Sequence, residues 1–193
     1  TFENLHNLNS NSMKAIRLIA LAACMAATLD ASAQEQEIRL FSHRGGRMEH
    51  DENTLSAFQA SYDAGYRGFE TDIRMTRDGA LVITHDSSLE RTTDGTGTVE
   101  EKTEAEIRRL HTKQGNKVLF LDELLEFLEG KEGLYVEFEM KTKPEALYPE
   151  ERLHAYCDKL YDAVMAVKPA DATFVFTSGD YRGLRYLQAK HPG

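Results

Sequence analysis

Apolar positions along the chain alternate between short runs of strand length and longer stretches with a helical period. Ile38 to Phe41 reads as a short strand. From Asn53 or Thr54 to Ala64, the spacing of Leu55, Phe58 and Tyr62 predicts a helix, and Gly65 is a natural stop. Phe69 to Met75 predicts a strand, Arg77-Asp78-Gly79 a turn, and Leu81 to Thr84 a further strand. Residues 87–101 are rich in Ser, Thr, Gly and Asp and predict a loop. Thr103 to His111 predicts a helix opened by a capping box, Thr103 with Glu106 three residues on. Leu121 to Leu128 is a helix closed by Gly130, and Leu134 to Met140 a strand. Pro149 to Val167 is a long helix with Leu153, Tyr156, Leu160 and Val164 on one stripe. Thr173 to Thr177 is a strand, and Tyr181 to Lys190 a helix with Leu184 and Leu187 inward.

Strands separated by helical stretches predict an α/β fold built from parallel units, either a barrel or an open doubly wound sheet. No Gly-rich fingerprint of the dinucleotide or P-loop type is present. Residues 34–193 read as one domain without a linker. A closed eight-stranded barrel takes about 250 residues, so the barrel reading predicts an incomplete one with five of the eight strands.

The 193 residues carry a formal net charge of −9. That acidity argues against nucleic acid as a partner. It still allows phosphate ester chemistry when a cation stands between protein and substrate. The opening of the chain is a separate text. Residues 1–12 are polar and without period, and read as a non-functional upstream segment. Met13 then begins a basic stretch with Lys14 and Arg17, an apolar run from Leu18 to Ala27, and Ala31-Ser32-Ala33 before Gln34. This predicts a secretory signal peptide over 13–33, hence an exported, periplasmic or secreted protein. The run is too short to span a bilayer. Leu21-Ala22-Ala23-Cys24 offers a lesser alternative, a lipoprotein anchored at Cys24. Cys157 is the only other cysteine, so no internal disulfide is expected in the exported part.

Polar groups cluster where the strands end. His43-Arg44-Gly45 follows the first, Glu70 and Asp72 lie on the second, His85-Asp86 closes the third, and Glu139 and Lys141 close the fourth. In a barrel of parallel strands this end is the active-site face. Glu70 and Asp72, two apart, share one strand face. Two such carboxylates repel unless a cation joins them, and Glu139 would complete an all-oxygen set suited to Ca²⁺ or Mg²⁺. His43 and His85 are an acid–base pair for cleaving a phosphodiester. Arg44 and Lys141 are candidate phosphate contacts. Asn53 and Thr54 have the chemistry of helix caps. Glu52 can reach the rim, to hold a catalytic group or bind substrate.

Taken in order, His43-Arg44-Gly45, Glu52-Asn53-Thr54 with Ala57-Phe58, Gly68 to Asp72, Thr76 to Gly79, His85-Asp86, Leu89 to Thr93, and Glu139-Met140-Lys141 resemble the glycerophosphodiester phosphodiesterases. The resemblance covers about residues 38–193. It implies a (β/α)₈ TIM-type barrel with a small insertion near 87–120. It implies hydrolysis of glycerophosphodiesters to sn-glycerol 3-phosphate and an alcohol. His43 and His85 would be the acid and base, Glu70, Asp72 and Glu139 the divalent-cation ligands, and Arg44 and Lys141 the phosphate contacts. It also implies attack by the substrate's own glycerol hydroxyl, with a cyclic phosphate then opened by water. Two rival readings share the residues, a related phospholipase-like headgroup phosphodiesterase and a non-catalytic phosphopolyol-binding barrel. The chain departs from the family pattern at Asp51 and Leu119-Phe120, where the family carries Pro, and in lacking the last strands. An unclosed barrel exposes strand edges, so the chain alone is expected to fold poorly or lack activity.

Overall fold

The computed structural model describes residues 40–192. The upstream segment, the signal-peptide pattern with Cys24, and Ile38 of the first strand lie outside these residues. Five strands form one sheet: β1 (Phe41–His43), β2 (Gly68–Met75), β3 (Leu81–Ile83), β4 (Tyr135–Met140) and β5 (Thr173–Thr177). Five α-helices accompany them: α1 (Leu55–Asp63), α2 (Glu104–Ile107), α3 (Leu121–Leu128), α4 (Glu150–Val167) and α5 (Tyr181–Lys190). Among the described residues no helix is long and apolar enough to cross a membrane.

The strands β1, β2, β4 and β5 run parallel in that order, with β2 buried along its whole length. Alternation sorts the residues of β2 and β4 onto two faces. Phe69, Ile73 and Met75 of β2, with Val136, Phe138 and Met140 of β4, form the core with the helices. The stripe Leu153, Tyr156, Leu160 and Val164 of α4 is fully buried there, as the period predicts, together with Cys157. Burial pushes the Cys157 thiol up to about 12, which fits a packing role. Glu70, Asp72 and Glu139 lie on the opposite face of the sheet.

The expectation of five parallel strands is corrected at the third. β3 pairs antiparallel with β2, Met75 opposite Leu81 and Ile73 opposite Ile83. The connection Thr76 to Ala80, turned at Gly79 with φ 90°, is too short for a parallel crossover. The hairpin instead returns the chain towards the rim, where the Thr84 N–H donates to the Asp72 carbonyl at 2.9 Å. The next strand, β4, takes the free edge of β2.

Residues 87–120 form a compact addition with a core of its own. Leu89, Val99, Ile107 and Phe120 pack with Val82 beneath them. Within it, the expected loop contains a 3₁₀ turn at Val99–Glu101. The expected helix from Thr103 keeps its capping box but ends at Ile107. His111 gives its N–H to the Asp94 carboxylate and bridges Lys117, which draws the chain out of the helix. One apolar assignment also changes. Leu55 is 43% exposed, while α1 buries Phe58 as expected, together with Ala57 and Ser61.

Candidate active site

Strand register builds the site. On parallel strands, paired residues send their side chains to the same side. His43 is paired with Glu70 across β1 and β2, and Asp72 with Glu139 across β2 and β4. One carboxylate oxygen from each of Glu70, Asp72 and Glu139 lies within 4.8 Å of the other two. Asp72 is fully buried, Glu70 nearly so, and Glu139 half-buried.

Two cations lie against these acids. Lys141 donates to Glu139 Oε1 at 2.6 Å and stands 3.1 Å from Asp72 Oδ1. Arg44 Nε stands 3.2 Å from Asp72 Oδ2, and its Nη1 donates to Glu52 Oε1 at 3.2 Å. Arg44 reaches this position from a left-handed backbone with φ 54°. Its N–H donates to Glu70, at the carbonyl (3.0 Å) and at Oε2 (3.2 Å). The glycine that follows is required by geometry. Gly45 has φ 75°, and a Cβ there would come within 2.9 Å of Ala57 Cβ. Arg44 and Lys141, read from sequence as phosphate contacts, are thus both paired with acids in this arrangement.

The donor set suits a hard divalent cation. Glu70 Oε1 and Asp72 Oδ1 are buried and accept no hydrogen bond, since Lys141 approaches Asp72 off hydrogen-bonding geometry. Buried carboxylate oxygens without donors are rare, and oxygen-only clusters bind Ca²⁺ or Mg²⁺. Burial first, and the neighbouring Asp72 charge second, push Glu70 up to about 7.

The two histidines sit at the ends of one chain of polar contacts. His43 Nε2 is 3.5 Å from Glu70 Oε2, with half of its side chain exposed. Burial, followed by the charges of Arg44 and Arg47, holds its pKa below the ordinary histidine value. His85 Nδ1 is 2.6 Å from Asp86 Oδ1. Asp86 accepts a hydrogen bond from Arg91 Nε, and that bond is the main cause holding its carboxyl down near 2. Arg91 also forks onto Glu52, Nη1 to Oε2 at 3.0 Å and Nη2 to Oε1 at 2.7 Å. Glu52 therefore joins Arg91 to Arg44, and through them His85 to the acidic cluster.

Three of these residues carry more than the sequence reading gave them. Thr54 caps α1, accepting from the Ala57 N–H, whereas Asn53 donates its side-chain amide to Asp72 Oδ2 at 2.9 Å. Asp86 and Arg91 lie within the His85-Asp86 and Leu89 to Thr93 motifs. A carboxylate adjoining a strand-end histidine was the available signal for Asp86. Of the other histidines, His50 and His111 are exposed. His154 and His191 are half-buried, stacked on Tyr186 and Tyr161.

Residues 43–192 match the model of the Glycerophosphoryl diester phosphodiesterase family. The chain belongs to this family. A glycerophosphodiester phosphodiesterase of Caldanaerobacter subterraneus subsp. tengcongensis is 36% identical over 123 residues, 59% of this chain and 50% of that protein. The chain thus spans about half the length of the curated relatives it matches. The crystal structure of the glycerophosphodiester phosphodiesterase of Agrobacterium tumefaciens matches with TM-score 0.65 and 28% identity. It covers 81% of this chain and 64% of that one. An Oleispira antarctica phosphodiesterase, solved in complex with the product sn-glycerol-3-phosphate, matches with TM-score 0.71 and 26% identity. It covers 80% of this chain and 63% of that one. The described residues form part of the TIM-type barrel of the family.

Proposed function

We propose that Glu70, Asp72 and Glu139 hold a divalent cation, Ca²⁺ or Mg²⁺, and that the site hydrolyses glycerophosphodiesters to sn-glycerol 3-phosphate and an alcohol. The observation that carries this reading is the convergence of three carboxylates, two with a buried oxygen lacking a hydrogen bond, beside His43. The named product of the Oleispira relative supports the choice of substrate class.

A bound cation would act as a Lewis acid on the phosphate's non-bridging oxygens. Arg44 and Lys141 add positive charge at the same mouth, Arg44 with the fork geometry that suits phosphate oxygens. His43, held below the ordinary histidine value, is neutral near pH 7 and can accept the proton of the attacking hydroxyl. Asp86, oriented by Arg91, takes the Nδ1–H of His85 and leaves Nε2 as the working nitrogen. As the imidazolium, His85 would give its Nε2 proton to the departing alkoxide. The neutral ring would then take a proton from the water that opens the cyclic phosphate, while His43 returns its proton to the released hydroxyl.

The test is release of glycerol 3-phosphate from glycerophosphocholine by the protein at full length, with cation and with chelator. Turnover that needs the cation, and that falls about 10²-fold or more in His43→Ala and in His85→Ala, is expected. Turnover indifferent to chelation, or none with either cation, contradicts the reading. We also propose export, on the pattern from Met13 to Ala33. A mature protein beginning at Gln34 on terminal sequencing supports it, and an uncleaved one does not.

A further inference from the structure

Above the acidic cluster lies a buried ion pair that no step of the proposed reaction uses. Arg74 continues the two-residue spacing of Glu70 and Asp72 along β2, so its side chain leaves the same face. Its Nη1 donates to Glu100 Oε1 at 2.8 Å, and both side chains are over 90% buried. Glu100 is fully satisfied. Oε1 also accepts from the Tyr148 hydroxyl at 3.1 Å, and Oε2 from the Ser87 hydroxyl at 2.7 Å. Tyr148 in turn accepts the Met75 N–H at 3.0 Å.

The rest of the guanidinium faces main chain. Arg74 Nε donates to the His85 carbonyl at 3.0 Å. Its Nη1 also reaches the carbonyls of Lys141 at 3.3 Å and Lys143 at 3.4 Å. One cation therefore grips the backbone behind a proposed acid–base residue and behind the lysine on the acidic cluster. Stability alone gives little reason for this arrangement, because well-packed apolar pairs of similar volume are often as stable as a buried ion pair. A rigid charged fork can do what an apolar pair cannot, which is to fix several carbonyls at set distances.

We propose that Arg74, anchored by Glu100, is a positioning residue that sets the main chain carrying His85 and Lys141. The catalytic part of this inference rests on the reading of His85 given above.

Arg74→Met alone leaves the Glu100 charge buried without its partner and destabilises the fold. The informative variant is therefore Arg74→Met with Glu100→Gln, which removes both charges and keeps acceptor and donor groups for Tyr148 and Ser87. It is expected to melt within a few degrees of wild type. Two readouts on the whole chain then separate positioning from mere support. The ¹⁵N shifts of the His85 ring are expected to move towards those of free imidazole as its bond to Asp86 loosens. Turnover is expected to fall about a hundredfold in kcat, with KM held within about twofold. Wild-type ring shifts with wild-type kcat in the folded double variant overturn the proposal. Should that variant not fold, Arg74→Lys keeps the charge pair but not the fork, and the same ring shifts decide. A wild-type chain without turnover would contradict the hydrolase reading alone, and the His85 shifts would still settle the role of Arg74.

Discussion

The Asn53 amide holds Asp72 Oδ2 at 2.9 Å from a residue whose own backbone is left-handed, with φ 57°. The bond ties the start of α1 to the most buried acid of the site. Asparagine is among the few residues that tolerate this backbone, so one side chain serves both the turn and the carboxylate. Asn53→Ala keeps the strain and removes the donor. A loss of about 2–4 kcal/mol in chemical denaturation is expected, from a charged hydrogen bond and the left-handed alanine together. Asn53→Gly relaxes the backbone and is expected to lose measurably less. Equal losses would mean that the turn conformation contributes nothing.

Stability and cation binding are expected to be linked through Glu70. Its pKa is raised from 4.5 to about 7, chiefly by burial. Between these values the folded chain holds a proton that the unfolded chain has released. Without cation, this group's contribution to stability therefore falls as pH rises through that window. A cation binds the ionised carboxylate and competes with the proton. The rise in melting temperature on adding Ca²⁺ or Mg²⁺ is expected to be larger near pH 8 than near pH 5. A rise of equal size at both would count against Glu70 as a ligand.

Arg91 belongs to the added segment yet forks onto Glu52 and bonds Asp86. Its side chain is about half exposed, so these pairs contribute on the order of 1 kcal/mol or less to the fold. Arg91→Met is expected to leave the melting temperature nearly unchanged. Turnover is expected to drop at least tenfold, because Asp86 loses the partner that aims it at His85. A folded variant with full turnover would show that the contact is incidental.

Much of this site was legible because a strand has a period of two. Glu70 and Asp72 had to share a face wherever β2 ran, and the same spacing extended to Arg74 would have brought it in. The pairing of Asp72 with Glu139 was beyond local pattern. It needs β4 beside β2, a neighbour that periodicity along one strand does not specify. The short turn at Arg77-Asp78-Gly79 already implied a hairpin, and that reverses β3 and frees the edge of β2. Asn53 was hidden by its chemistry, since the groups that cap a helix also bind a carboxylate. Glu100 gave no signal, because its burial comes from the fold of residues 87–120 onto the rim. The helix boundaries were well marked where a stripe and a stop coincided, as from Leu121 to Leu128. They failed after Ile107, where Asp94 takes the His111 N–H.

The most direct measurement is calorimetric titration of the chain with Ca²⁺ and with Mg²⁺, beside Asp72→Asn and Glu139→Gln. Binding of one cation per chain is expected, weakened by about tenfold or more in each variant as a charged oxygen ligand is lost. Absence of binding by the unaltered chain, or binding unchanged in both variants, would contradict the grouping of Glu70, Asp72 and Glu139 around a single ion.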